Sequence, residues 1–389
     1  MPQSQLAQSI LDVPPSRIRE LANIAFKMDG VLKLYFGESN LPTPQYIKDA
    51  ATRALQDGFT FYTHNAGLPS LRQAIAEKYH ELHQVELNPE SEIVVTASGV
   101  QALNVAIRCL LDPGCEALVL TPAWPNASAI VRLCSAEPRE IPLVLHGTRY
   151  QIDFEALQRA LSSRTRLLVY TSPSNPLGWV ATGEDQQLLL EFCLKHGLWL
   201  LADEVYERLY YRSDVAPSIL RKCRRDDTVV VAQSFSKSYC MTGWRLGWVA
   251  GRSDLVQKAT EMNEFIISHA PSMVQKAGEI ALREGEPEIK SMVARLKQNL
   301  AFCQQALESM SEVILPRPEG AFYLFPRIKG LEDSFEFCKE LLLKTRVGLA
   351  PGVAFGSGGE GSIRICYAAD RCVLEPAMTR LAEFLSTRR

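Results

Sequence analysis

The feature that most constrains the fold is a succession of short runs that are apolar throughout, separated by amphipathic stretches. IVVT (93–96), ALVLT (117–121), RLLVYT (166–171), LWLLAD (198–203), TVVVAQ (228–233) and GWVAG (247–251) read as strands. A strand with one wet face alternates polar and apolar residues. These do not, so both of their faces must be covered. Helical patterns over 101–111, 126–136, 154–161 and 184–196 lie between the first four. The pattern predicts an α/β fold with a large, mostly parallel sheet covered by helices.

The flanks read differently. Apolar residues at Ile18, Leu21, Ala22, Ala25 and Phe26 predict a helix over 16–27, with Ser16 as its N-cap. A short strand at 34–36 then meets Gly37 and the turn-rich ESNLPTP. Beyond Glu286 come a long helix over 288–310, strands at 321–326, 348–350 and 362–368, a helix over 334–346 and a terminal helix. This predicts a large domain over 45–285 and a smaller α+β domain formed by 1–44 and 286–389, as suits a chain of 389 residues.

Composition excludes several functions. A formal net charge of -2 offers no electrostatic footprint for nucleic acid or an anionic membrane. No apolar run reaches the ~20 residues that span a bilayer. The start, MPQSQLAQSI, lacks the basic and apolar regions of a signal peptide. The 10 cysteines are scattered without a CxxC pair, so most of them read as small buried apolar residues in a reducing cytoplasm. The 6 histidines show no metal-binding spacing. GSGGEG (356–361) matches a dinucleotide fingerprint in letters only, because a strand follows it where a helix is required.

Three consecutive strands carry the chemistry. Asn175, in SPSNPLG, follows RLLVYT; Asp203 ends LWLLAD, with Tyr206 three residues on; Lys237 follows TVVVAQ. Ligands of parallel sheets bind at the carboxyl ends of the strands, so an amide, an acid and an amine converge on one edge. Taken alone, Asp203 could equally cap a helix over EVYERLY. An amine for a Schiff base, a carboxylate for a ring nitrogen and donors for a phosphate together specify pyridoxal 5'-phosphate. The phosphate donors are the backbone of Ser98, Gly99 and Val100 at a helix start, with Ser234, Ser236 and Arg245 around the lysine.

YTHNAGLPSLR (62–72), SPSNPLG (172–178), DEVY (203–206), SFSKSYCMTGWRLGW (234–248), PEGAFYLF (318–325) and the arginine of SIRICYA stand in an order and spacing that carry a resemblance. The chain resembles the class I and II aminotransferases, pyridoxal-phosphate enzymes of fold type I, over nearly its whole length. The resemblance implies a seven-stranded large-domain sheet and transfer of an amino group from an amino acid to a 2-oxo acid. The implied route runs through aldimine, quinonoid and pyridoxamine-phosphate intermediates. Lys237 would form the internal aldimine and move protons, Asp203 would pair with the ring nitrogen, and Tyr206 and Asn175 would bond the ring hydroxyl. Trp124 would stack on the ring, and Arg364 would clamp the substrate α-carboxylate beside Gly37. Tyr62 would reach the phosphate of a partner subunit, which implies a homodimer with shared sites.

A C–S lyase acting on a cysteine-type substrate shares these motifs and is the alternative. Two departures from the family pattern bear on the pocket. Leu177 replaces a common threonine and is followed by Trp179, which either lines the pocket or packs in the core. Val100 stands where some aspartate-using members carry a lysine, so a neutral side chain is the expected amino donor. His64 and Asn65 are further candidates at the partner's pocket, and His269 near the phosphate.

Overall fold

In the computed structural model, residues 6–387 are described. The reading of the first ten residues therefore falls partly outside the described residues.

The apolar runs form one sheet. Its strands are β1 (Ile93–Thr96), β2 (Glu116–Thr121), β3 (Glu137–Pro142), β4 (Thr165–Thr171), β5 (Trp199–Asp203), β6 (Val229–Ser234) and β7 (Gly247–Gly251). Their order is β1-β7-β6-β5-β4-β2-β3. Only β7 runs antiparallel to its neighbours. Val94, Val119, Leu201, Val230 and Val249 pack into one layer. Val95, Leu118, Leu200, Val231 and Ala250 pack into the other. Both faces are dry, which is why these strands show no alternation.

Register places the site. Thr171 pairs with Asp203, Asp203 with Ala232, and Gly247 with both Ser234 and Thr96. The ends of β1, β4, β5 and β6 therefore share one edge of the sheet.

A small sheet faces that edge. It consists of β8 (Tyr323–Leu324), β9 (Ala350–Pro351) and β10 (Ile363–Cys366), in the order β8-β10-β9. Leu32–Lys33 pairs in parallel with Val347–Gly348, so chain from both ends meets here. Long helices at Glu286–Glu308, Ser334–Thr345 and Arg371–Ser386 accompany it.

Several expectations change. The seventh strand, β3, has the sequence EPREIP, whose prolines and charges hide it; it lies at an edge, where both are tolerated. The helix before it stops at Leu133, and Ser135 adopts φ 56. The strand expected at 34–36 is not formed. Leu34 instead donates to Gly348 and accepts from Cys366, linking two elements without extending either. The strand expected at 321–326 shortens to β8 because Ala321 has φ 58, outside strand geometry. EVYERLY is a series of turns, so Asp203 caps no helix there. In GSGGEG, Gly356, Gly358 and Gly361 all have positive φ and lead into β10, as a turn should.

Candidate active site

The predicted residues converge on a cavity of about 220 Å³, lined by Gly37, Gly99, Val100, Trp124, Asn175, Asp203, Tyr206, Ser234, Ser236, Lys237 and Arg245. Lys237 follows the carboxyl end of β6, and its Nζ donates to the carbonyl of Gly37 at 2.6 Å. Burial lowers its ammonium pKa to about 8; Cys366 and Glu38 oppose the shift, and Arg364 and Arg245 add to it. Asp203 lies one strand away. Burial raises its carboxyl to about 6, although the Val205 N–H at 3.3 Å and the charge of Lys237 hold it down.

The far end of the cavity gathers groups that could hold an anion. The helix Gly99–Leu110 begins there, capped by Ser98, whose hydroxyl accepts from the N–H of Gln101 at 3.2 Å. The side chain of Ser98 is thus occupied as the cap, and Ser98, unlike Gly99 and Val100, does not line the cavity. A Cβ on Gly99 would sit 2.9 Å from the Cβ of Ser234, so the helix start can pack here only as glycine. Ser234 donates to Ser236 at 2.9 Å, and Arg245, at φ 53, donates to the carbonyl of Thr242 at 2.7 Å. Backbone N–H groups, hydroxyls and a guanidinium suit a phosphate, and the amine and acid suit the rest of a pyridoxal cofactor.

Arg364 lies behind this wall, on β10, fully buried. Its Nη1 donates to Oδ1 of Asn175 at 3.0 Å, and its Nη2 donates to the carbonyl of Tyr35. Its Nε has no partner. Among the described residues no carboxylate pairs with it, and its guanidinium lies 4.7 Å from the ring centre of Tyr323 and 4.9 Å from that of Phe355. A buried cation without an anion is costly, so an arriving carboxylate would find a ready partner in Arg364.

Tyr62 stands apart. It is 90% exposed, does not line its own chain's cavity, and packs edge-on against His269 with ring centres 5.7 Å apart. His269 accepts from the N–H of Thr63 and bonds the carbonyl of Ala270, so it fixes this loop. His64 accepts from the N–H of Ala66, and Asn65 bonds Glu264. Leu177 and Trp179 are buried at 2% and 3% and belong to the core.

Sequence reasoning missed Leu103, Asn126, Thr171, Val205, Thr242 and Tyr323 among the lining residues. Tyr323 lay in plain view inside PEGAFYLF. A tyrosine in an apolar run signals a buried hydroxyl that needs a partner. That partner is the hydroxyl of Tyr206, 2.7 Å away.

Fold and site together define a fold-type I pyridoxal-phosphate enzyme. The sequence pattern of the family "Aminotransferase class I and II" matches residues 30–381, and the chain belongs to that family, whose members depend on pyridoxal phosphate. It is 35% identical to the aspartate aminotransferase of Pyrococcus horikoshii, over 98% of this chain and 97% of that one. It is 32% identical to aromatic-amino-acid aminotransferase 2 of Thermococcus litoralis, over 97% and 95% of the two chains. Among solved structures, the aromatic aminotransferase of Pyrococcus horikoshii superimposes with a TM-score of 0.88 at 34% identity, covering 95% of this chain and 99% of that one. The protein is a transaminase.

Proposed function

We propose that this transaminase takes its amino group from an amino acid with a neutral side chain, aliphatic or aromatic, and passes it to a 2-oxo acid. The observation that carries the proposal is the use of the basic residues at the cavity. Lys237 is the reacting amine, Arg245 serves the phosphate cradle and Arg364 waits for the α-carboxylate, while Val100, Leu103 and Trp124 line the remaining wall. A second substrate carboxylate would find no further cation among the described lining residues, and burying it unpaired is costly.

When bound, pyridoxal phosphate supplies an electron sink for the charge left on the substrate α-carbon. The chain does the rest. Arg364 grips the α-carboxylate and so orients the Cα–H bond. With its pKa lowered to about 8, about a tenth of Lys237 is neutral at pH 7, far more than for an ordinary lysine, so its Nζ can take the Cα proton and return it. With the cofactor bound, Asp203 would keep its ring nitrogen protonated, Asn175 and Tyr206 would hold its ring hydroxyl, and Trp124 would stack on the ring.

The residues 45–285 would form the cofactor-holding domain, and 1–44 with 286–389 the domain carrying Arg364 and Gly37. The exposed Tyr62 would serve the phosphate site of a second copy, making a homodimer. All 10 cysteines are free, which suits a reducing cytoplasm. Among the described residues, no helix is long and apolar enough to cross a membrane, and no metal-binding cluster occurs.

The test is the visible absorption of the cofactor-loaded enzyme, followed as single amino acids are added, with products identified by mass. The proposal expects neutral amino acids to bleach the band fastest and to release 2-oxo acids. Faster reaction with aspartate would overturn the donor class, and accumulation of ammonia or a thiol would indicate a lyase. In Lys237→Ala, phosphate binding should persist while turnover disappears; normal turnover would refute the lysine's role.

A further inference from the structure

Tyr206 and Tyr323 are both buried, and their hydroxyls are 2.7 Å apart. A phenol has one proton to donate and can accept two hydrogen bonds, so where the Tyr206 proton points depends on its neighbours. The neighbours can be assigned. Arg364 has only donors, so the Asn175 oxygen that receives its Nη1 must be Oδ1. The amide nitrogen Nδ2 is then left to face Tyr206, donating to its hydroxyl oxygen at 3.5 Å. If Tyr323 donates as well, the Tyr206 oxygen receives two hydrogens, and its own proton has nowhere to go but into the cavity.

We infer that Tyr323 is a positioning residue whose hydroxyl donates to Tyr206 and thereby aims the Tyr206 proton at the ring oxygen of the bound cofactor. The inference rests on the reading of Lys237 and Tyr206 proposed above. Three features hold Tyr323 in place. Its strand β8 pairs with β10, Tyr323 opposite Cys366 and Leu324 opposite Ile365. Its ring lies under the guanidinium of Arg364. Its hydroxyl also fills the space at Gly37, where any Cβ would collide with it. The residue that orients Tyr206 is thus fixed by the strand that carries the carboxylate clamp. Carboxylate capture and the proton at Tyr206 share one rigid support.

The chemistry gives a sign. A donor aimed at the cofactor's ring oxygen stabilises negative charge there, and so favours the form in which the nitrogen of Lys237 has lost its proton. Misdirecting that donor keeps the proton on to higher pH. The other titratable and charged groups facing Lys237 and Tyr206 are Asp203, Cys366, Glu38, Arg245 and Arg364, and none is altered by the substitution below.

The experiment titrates the visible absorption of the cofactor-loaded enzyme against pH in the wild type, Tyr323→Phe, Tyr206→Phe and the double variant. Tyr323→Phe should raise the midpoint by about half to one pH unit, a ~3–10-fold shift in the proton equilibrium. In the Tyr206→Phe background the same substitution should move it by less than about 0.2 unit, because the proton being aimed is gone. A purely packing role would give the same shift in both backgrounds. Equal shifts, or an unmoved midpoint in Tyr323→Phe, would overturn the inference. Loss of the absorption band in the wild type would instead refute the reading of Lys237.

Discussion

In the proposed function, Arg364 concentrates the substrate recognition of this chain in one side chain. It is fully buried, has an unpartnered Nε and faces no carboxylate among the described residues. Replacing it by glutamine removes the charge while keeping much of the shape. The loss of two charge-assisted hydrogen bonds, at ~1.5–3 kcal/mol each, should lower kcat/KM by roughly 100-fold or more. Because every substrate presents the same α-carboxylate, steady-state kinetics should show a similar factor for aromatic and aliphatic donors. A loss confined to one donor would mean that Arg364 reads the side chain instead. Nothing in SIRICYA itself distinguishes this arginine from one on a solvated edge strand. Only its comparison with the family pattern singled it out, and the structure adds the burial.

At the scale of elements, the helix Pro69–His83 and the turns after β5 are tied together by buried charge. Lys78 and Glu207 form an ion pair, both about 95% removed from water, and His83 Nε2 bonds the other oxygen of Glu207 at 3.1 Å. Burial alone would raise the Glu207 carboxyl, but Lys78 and His83 outweigh it and hold it at about 2. Its neighbour Glu204 behaves in the opposite way. Burial raises it to about 8, helped by the charge of Glu207, and one of its oxygens has no partner. Glu207→Gln strands Lys78 and should cost about 3–5 kcal/mol, visible as a large drop in thermal midpoint. The two acids also predict a pH profile. Glu207 stabilises the fold above its unfolded value of 4.5, and that contribution disappears as pH falls towards 2. Glu204 is protonated in the fold at neutrality, so stability declines as pH rises from 4.5 through 8. In Glu204→Gln, thermal midpoints recorded across that range should lose the alkaline decline. The elements themselves were legible where burial is symmetric: β1, β2, β4, β5, β6 and β7 follow directly from runs such as IVVT and GWVAG. Those that escaped depend on partners remote in sequence. EPREIP is a strand because β2 lies beside it, and Leu34–Phe36 fails to be one because its polar groups are divided between Gly348 and Cys366. The site followed the same rule: Lys237, Asp203 and Asn175 could be placed from their strand ends, whereas Tyr323 needed the hydroxyl that faces it.

At the scale of the whole molecule, Tyr62 is one of several large apolar side chains left exposed, with Phe61 (81%) and Phe265 (88%) among the others. The proposed homodimer would account for the exposure of Tyr62 and makes a prediction about mixtures. Subunits carrying Lys237→Ala and subunits carrying Tyr62→Ala should each turn over poorly. Mixed and allowed to exchange, they should recover activity, because one site of each hybrid pairs an intact Lys237 with an intact partner tyrosine. Activity that never exceeds the average of the two preparations would show that each chain completes its own site. The pairing of Leu32–Lys33 with Val347–Gly348 has a consequence during synthesis. At ~5–20 residues per second, the nascent chain must wait on the order of tens of seconds between making the first of these strands and the second. Through that interval the Gly37 wall has no strand to rest on and Arg364 does not yet exist. On the proposed roles, a ribosome that stops early would therefore release a chain that carries Lys237 and the residues meant for the phosphate but lacks the arginine meant for the substrate.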